Sequence, residues 1–138
     1  MSGEPVLPVG WMPAKGYTNG MACGPGRTVY VGGQIGWDGA QRAVSGEFVA
    51  QFDQALANVV AVVEAAGGRA ADVVKMTVYV TDMEAYRSSL RAIGGCWRAR
   101  LGKHFPAMAL VAVTALVEPW AKVEIEAIAH VGGEGADR

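Results

Sequence analysis

The segment from Phe105 to Ala129 reads FPAMALVAVTALVEPWAKVEIEAIA. Its opening, Pro106 to Val113, is almost wholly apolar, and the residues from Lys122 to His130 alternate charged with aliphatic. The apolar run reads as a buried strand, and the alternation reads as a strand with one polar face. Residues two apart share a side of a strand, so Lys122, Glu124 and Glu126 stand in a row on that polar face. A functional site is expected where the two strands end and where Met108 and Glu124 point.

Upstream, Val73 to Val80 is rich in β-branched residues and alternates, so it is a further strand. Two helices flank it. The first is expected from Gly46 to Ala66, with Ser45 as N-cap and Gly67-Gly68 as its stop. Phe48, Phe52, Leu56, Val59 and Val63 recur at helical spacing and form its core face; Gln51, Asp53, Gln54, Asn58 and Glu64 lie largely off it. The second runs from Thr81, as the cap of a capping box with Glu84, to about Leu101. Tyr86, Leu90, Ile93 and Trp97 mark its apolar face, and Gly94-Gly95 inside it reads as a point of close packing.

Before the first helix come Met21-Ala22-Cys23, a turn at Gly24-Pro25-Gly26-Arg27, and Thr28 to Val31, which read as an antiparallel hairpin. Residues 1–20 read as an extended arm pinned by Trp11 and Tyr17, and residues 132–138 as a frayed tail. Gly32-Gly33 resembles a phosphate loop only superficially, because neither GxGxxG nor GxxxxGK[ST] is present and no helix follows directly. Paired glycines within a strand instead indicate a bulge or a close backbone approach.

Strands and helices in this order give one α+β domain over residues 1–138. Its sheet is mixed, of about six strands, with both helices on one face. The other face, with apolar side chains from Val73 to Val80, needs cover, and oligomerisation with cyclic symmetry supplies it.

A chain of 138 residues with 51% hydrophobic and 18% charged residues has a real core. A net charge of -1 gives no basic footprint for nucleic acid and no attraction to an anionic membrane. No apolar run reaches the roughly 18 residues of a span, and Met1 to Pro8 has no signal-peptide pattern, so a cytoplasmic location is expected. Cys23 and Cys96 have no metal-ligand spacing with His104 or His130, and are expected as reduced thiols. No metal or cofactor is expected.

Several blocks together resemble the RidA/YjgF family of reactive-intermediate deaminases. They are Val29 to Ile35, Val73 to Met83, Phe105-Pro106-Ala107 and Lys122 to Ala129, in order and without large gaps. The resemblance implies a chorismate-mutase-like domain in a homotrimer, with small-molecule clefts between subunits. In the active branch those clefts hydrolyse enamines and imines of 2-amino acids to 2-keto acids and ammonia. It implies that Tyr17 lies in the cleft, that the backbone of Gly33 faces the ligand, and that Glu124 places the attacking water.

The departures concern the substrate. Where the active branch has an arginine that forks onto the substrate carboxylate, this chain has Met108; the family's frequent cysteine two residues on is Leu110. The serine before the strand glycine is Gly32, and a second-helix asparagine falls on Leu90. Methionine offers polarisable apolar volume and no donor. Either the ligand carries no carboxylate at that spot, or Arg87, Arg91 or Lys122 reaches it. Trp37 and Trp120 line the cleft or an interface, His104 is an acid–base group or a structural one, and Glu126 pairs with Glu124 or is solvated. Two functions are expected: hydrolysis of an enamine or imine bulkier or more apolar than the usual 2-imino acids, or, alternatively, non-catalytic binding of a small metabolite in the same cleft. A chaperone or ribonuclease role, ascribed to relatives, has no support in the composition.

Overall fold

The structure is a computed structural model, and it describes residues 3–132. Its centre is the alternating C-terminal strand. That strand, β6 (Val123–Gly132), pairs antiparallel with β4 (Val73–Val80) on one side and with β3 (Gly26–Gln34) on the other. The edge strand β5 (Ala107–Ala112) runs parallel to β4, giving one four-stranded sheet of order β3-β6-β4-β5. The Val73–Val80 strand lies where the sequence places it.

Period-two alternation sends Met76, Val78 and Val80 of β4 and Val123, Ile125, Ala127 and Ala129 of β6 to one side, all buried. There they meet the helix α1 (Phe48–Ala65), whose Phe48, Phe52, Leu56, Val59 and Val63 are buried as its spacing predicts. Its length and hydropathy alone would suit a membrane span. Its apolar stripe is instead core.

The opposite face of the sheet is uncovered. It presents Lys75, Thr77 and Tyr79 of β4, Glu124, Glu126 and Ile128 of β6, and Tyr30 of β3, which is 77% exposed. The expectation of apolar β4 side chains on this face is therefore corrected. The apolar residues of β4 took the helix side, and amphipathic ones took the other.

Further expectations change. The apolar run at Pro106 to Val113 is not buried on both faces. As an edge strand it has one neighbour, and only Met108 and Leu110 turn toward the core, while Val111 is 42% exposed. The predicted hairpin of Met21–Cys23 with Thr28–Val31 does not form. Instead β2 (Gly20–Cys23) pairs antiparallel with β1 (Gly3–Val6), within the segment read as an arm. Gly3 has no side chain, which lets the ribbon approach β4 at this residue: a Cβ there would sit 3.0 Å from Val74 Cγ1.

The second helix is two: α2 (Met83–Arg87) and α3 (Leu90–Leu101). Asp82, not Thr81, caps α2, accepting from the Glu84 and Ala85 amides at 3.0 and 3.3 Å. The helix breaks at Ser88, whose hydroxyl donates back to the Glu84 carbonyl at 2.9 Å. Finally, α1 begins at Phe48 with Glu47 as its N-cap, while Ser45 Oγ accepts the Glu47 amide one step earlier. Trp11 and Tyr17, expected to pin the arm, are 59% and 44% exposed. The predicted frayed tail falls outside the described residues beyond Gly132.

Candidate functional site

At Gly32-Gly33 the β3–β6 register slips between Val31 and Gln34, so the expected bulge is there. The expected close approach is there too. A Cβ on Gly33 would sit 2.7 Å from Glu124 Cδ, so only glycine leaves room for this carboxylate over the strand. Glu124 is half-buried and makes no hydrogen bond or ion pair among the described residues. Glu126, on the same face, accepts a hydrogen bond from the Tyr79 hydroxyl. That bond, with the charges of Glu126 and Glu124 beside it, pushes the Tyr79 pKa up. One carboxylate of the pair is thus committed and the other is open.

The start of β6 is set by a residue that the helical pattern had left off the core face. Gln51 is wholly buried in α1. Its Nε2 donates to the carbonyls of Ser45 and Trp120 at 3.0 and 3.2 Å, and its Oε1 accepts the Lys122 amide at 2.8 Å. It ties the loop before α1 to the turn before β6, two residues from Glu124. Gly36 packs against it so closely that a Cβ would lie 2.6 Å from Gln51 Cα. The signal was in the sequence: Gln51 lies three residues from Phe48 and four from Ala55, both buried. Asn58 Nδ2, donating to the Ile35 and Trp37 carbonyls at 3.1 and 2.8 Å, anchors the chain just after the bulge.

A second place lies on the helix side. A cavity of about 190 Å³ opens between α3 and β5, lined by Leu90, Gly94, Trp97, Arg98, Phe105, Met108 and Leu110 among others. Its wall is fixed by Trp97, which stacks on Phe105 at 5.9 Å and donates Nε1 to the His104 carbonyl at 2.9 Å. His104 Nε2 lies 2.6 Å from the Val73 carbonyl, so this ring serves the structure. Gly94 and Gly95 do not mark close packing, because a Cβ on either would meet nothing within 4 Å. Thr18, beside Tyr17, runs along the free edge of β5, its amide donating to the Pro106 carbonyl at 3.0 Å, and Gly16 reaches the cavity.

The predicted site residues therefore divide. Leu90, Met108 and Leu110 share the cavity, with Tyr17 next to its rim, while Gly33 and Glu124 share the open sheet face. Trp120 belongs to neither. It packs against Trp37 at 6.4 Å and lines a separate cleft of about 470 Å³ with Thr81, Leu116 and Lys122. Met108 and Glu124 do not point into one space within a chain. Met108 pairs with core-facing Met76, and Glu124 pairs with Tyr79 on the other face. None of Arg87, Arg91 and Lys122 lines the Met108 cavity; the cation there is Arg98, which the sequence reading had not proposed.

The Endoribonuclease L-PSP family model matches residues 10–131. The chain belongs to this family, the RidA/YjgF proteins. It is 39% identical over 107 residues to a 2-iminobutanoate/2-iminopropanoate deaminase of Salmonella typhimurium, spanning 75% of this chain and 80% of that one. The human protein of the same name is 35% identical, over 77% of this chain and 74% of its own. Among solved structures, the Rid-family protein YyfB of Yersinia pestis superposes with a TM-score of 0.85 at 30% identity, over 95% of this chain and all of that one (100%). The YjgF protein of E. coli gives 0.65 at 33% identity, over 91% of each chain. The α+β fold of this RidA/YjgF chain is thus that of its relatives.

Proposed function

We propose that this RidA/YjgF protein is an enamine/imine deaminase for a substrate bulkier or more apolar than the usual 2-imino acids. The single observation that carries the reading is the open carboxylate of Glu124 held over the side-chain-free backbone of Gly33. Relatives named as 2-iminobutanoate/2-iminopropanoate deaminases, at 35 to 39% identity, support the reaction class. The apolar walls of the Met108 cavity support the substrate class.

In this reading Glu124 orients a water against the C=N carbon. The water oxygen bonds to carbon as the π pair moves to nitrogen, and the carboxylate carries the proton from water to nitrogen. The carbinolamine then loses ammonia and becomes the carbonyl. An enamine first tautomerises to the imine. The sum is imine plus water giving carbonyl plus ammonia.

Glu124 and Met108 face opposite sides of one sheet, so the reading places the reacting cleft between copies. The open face of one copy meets the cavity side of the next in a cyclic homotrimer. Ammonia release from a panel of enamines and imines generated in place tests the reaction, and Glu124→Gln removes the acceleration. If no panel member reacts faster with protein than without, the deaminase reading fails. The apolar lining then favours the second reading, a trimeric protein that binds a small metabolite unchanged, which native mass spectrometry would detect.

A further inference from the structure

Arg98 is the one charged side chain on the lining of the cavity between α3 and β5 among the described residues. It lies eight residues after Leu90 and four after Gly94, so the three form one stripe along α3. The middle of that stripe is hollow, since a Cβ on Gly94 would meet nothing within 4 Å. An apolar shelf, a gap and a guanidinium thus follow one another toward the C-terminal end of the helix. Met108, Phe105 and Trp97 face them.

The two arginines of the last helical turn are not used alike. Arg100 is spent on Asp53 by a two-pronged contact, Nε to Oδ1 at 3.0 Å and Nη2 to Oδ2 at 2.9 Å. The exposed Arg98 side chain makes no hydrogen bond or ion pair among the described residues. Either arginine complements the helix dipole, which needs no cavity. An uncommitted guanidinium at the rim of an apolar cavity offers a fork that matches a carboxylate. Within one chain the cavity is about 190 Å³, below the roughly 300–1,000 Å³ of pockets for drug-sized ligands, which suits a small metabolite.

We infer that Arg98 is the carboxylate anchor of this cavity, and that the cavity takes a small 2-imino or 2-keto acid with an aromatic or branched apolar side chain. The apolar body fills the gap over Gly94 against Met108 and Phe105, and the carboxylate lies on Arg98. The inference rests on the deaminase reading for the imine, and its test does not need turnover.

The test is binding of phenylpyruvate, the keto acid that hydrolysis of such an imine would yield, and of phenylacetone, which keeps the ring and the ketone but lacks the carboxylate. Calorimetry on the full chain compares wild type, Arg98→Met and Arg98→Lys. Wild type should bind phenylpyruvate more tightly than phenylacetone. Arg98→Met should weaken phenylpyruvate by about tenfold or more and leave phenylacetone unchanged, and Arg98→Lys should recover part of the loss. The inference is overturned if wild type fails to bind phenylpyruvate at millimolar concentration, or if Arg98→Met leaves it unchanged. An equal loss for both probes, whether or not Tm falls, overturns it too. Arg98-dependent binding in a protein that hydrolyses no imine would sink the deaminase reading and keep the anchor.

Discussion

Gly33→Ala separates the placement of Glu124 from the stability of the fold. The backbone of Gly33 does not adopt positive φ, so alanine can take its conformation. The new Cβ, however, would stand 2.7 Å from Glu124 Cδ and 3.0 Å from its Cγ. Carbon atoms pack at about 3.5–4.0 Å, so the carboxyl group must retreat by about 1 Å. It is the free end of a flexible side chain on an uncovered face, and moving it costs little folding energy. Restricting the unfolded chain contributes about 0.4–1 kcal/mol in the opposite sense. Tm is therefore expected to stay within about 4 °C of wild type. Activity should not be spared, because a displacement of about 1 Å in a positioned group costs on the order of 100-fold in rate. The assay is kcat for ammonia release on the best panel substrate, with a thermal melt of the same preparation. In a Glu124→Gln background the same change should cost nothing further, since both act through one carboxylate. Unchanged kcat in Gly33→Ala would refute the link between this glycine and the chemistry. A Tm loss above about 10 °C, well beyond what moving a side-chain end can cost, would show the contact to be structural.

Gln51→Leu strands the Ser45 and Trp120 carbonyls and the Lys122 amide, at about 1–3 kcal/mol for each group left dry, so urea unfolding should show a loss of about 3 kcal/mol or more. An unchanged midpoint would mean that water reaches those groups. Arg100→Ala removes a half-exposed pair and should cost under about 1 kcal/mol at pH 7. The Arg100 guanidinium holds the Asp53 pKa below its ordinary value, so this contribution is full above the unfolded carboxylate pKa and is lost as pH falls through the lower folded one. The stability difference between wild type and Arg100→Ala should therefore shrink below about pH 4 in acid-titrated urea melts. A gap that persists at pH 2 would contradict it. Met108→Arg places a second fork in the cavity and should raise kcat/KM on 2-iminopropanoate by about tenfold or more; no gain would mean that the cavity differs more deeply from that of its relatives.

How much of this was legible depended on whether a pattern was local. Val73 to Val80 announces itself by composition, and the stripe Phe48 to Val63 by spacing, and both elements fell where expected. The resemblance blocks located Gly33 and Glu124, and the structure brings these two together. What failed was relational. An apolar run cannot say whether a strand is central or at an edge, and β5 proved to be an edge. Alternation fixes the two faces of a strand but not which face looks at the helices, so Met108 and Glu124 were expected in one space and stand on opposite sides. Gln51 was missed because a polar residue within an apolar stripe reads as an exposed one until its three backbone partners, far apart in sequence, are seen. Arg98 was passed over in favour of Arg87, Arg91 and Lys122, because the gap beside it is the empty space at Gly94, which no sequence pattern reveals.

The opposite facing of Glu124 and Met108 leads to a last prediction, on mixed assemblies. Gly94→Phe puts a ring into the open space of the cavity and removes a mid-helix glycine, a change that favours a helix by a few tenths of a kcal/mol, so it should block the cavity without unfolding α3. Glu124→Gln removes the water-handling group and leaves the cavity open. Each variant alone should be inactive. In the proposed ring every cleft takes Glu124 from one copy and the cavity from the next. After unfolding and refolding together at equal amounts, a cleft is intact when a Gly94→Phe copy supplies its Glu124 and a Glu124→Gln copy supplies its cavity. Random assembly gives this at about one half times one half, so about a quarter of wild-type activity should return, whatever the number of copies in the closed ring. If both groups worked within a single chain, no mixture would recover anything. Activity near zero in a mixture shown by mass spectrometry to contain hybrid assemblies would therefore overturn the shared cleft.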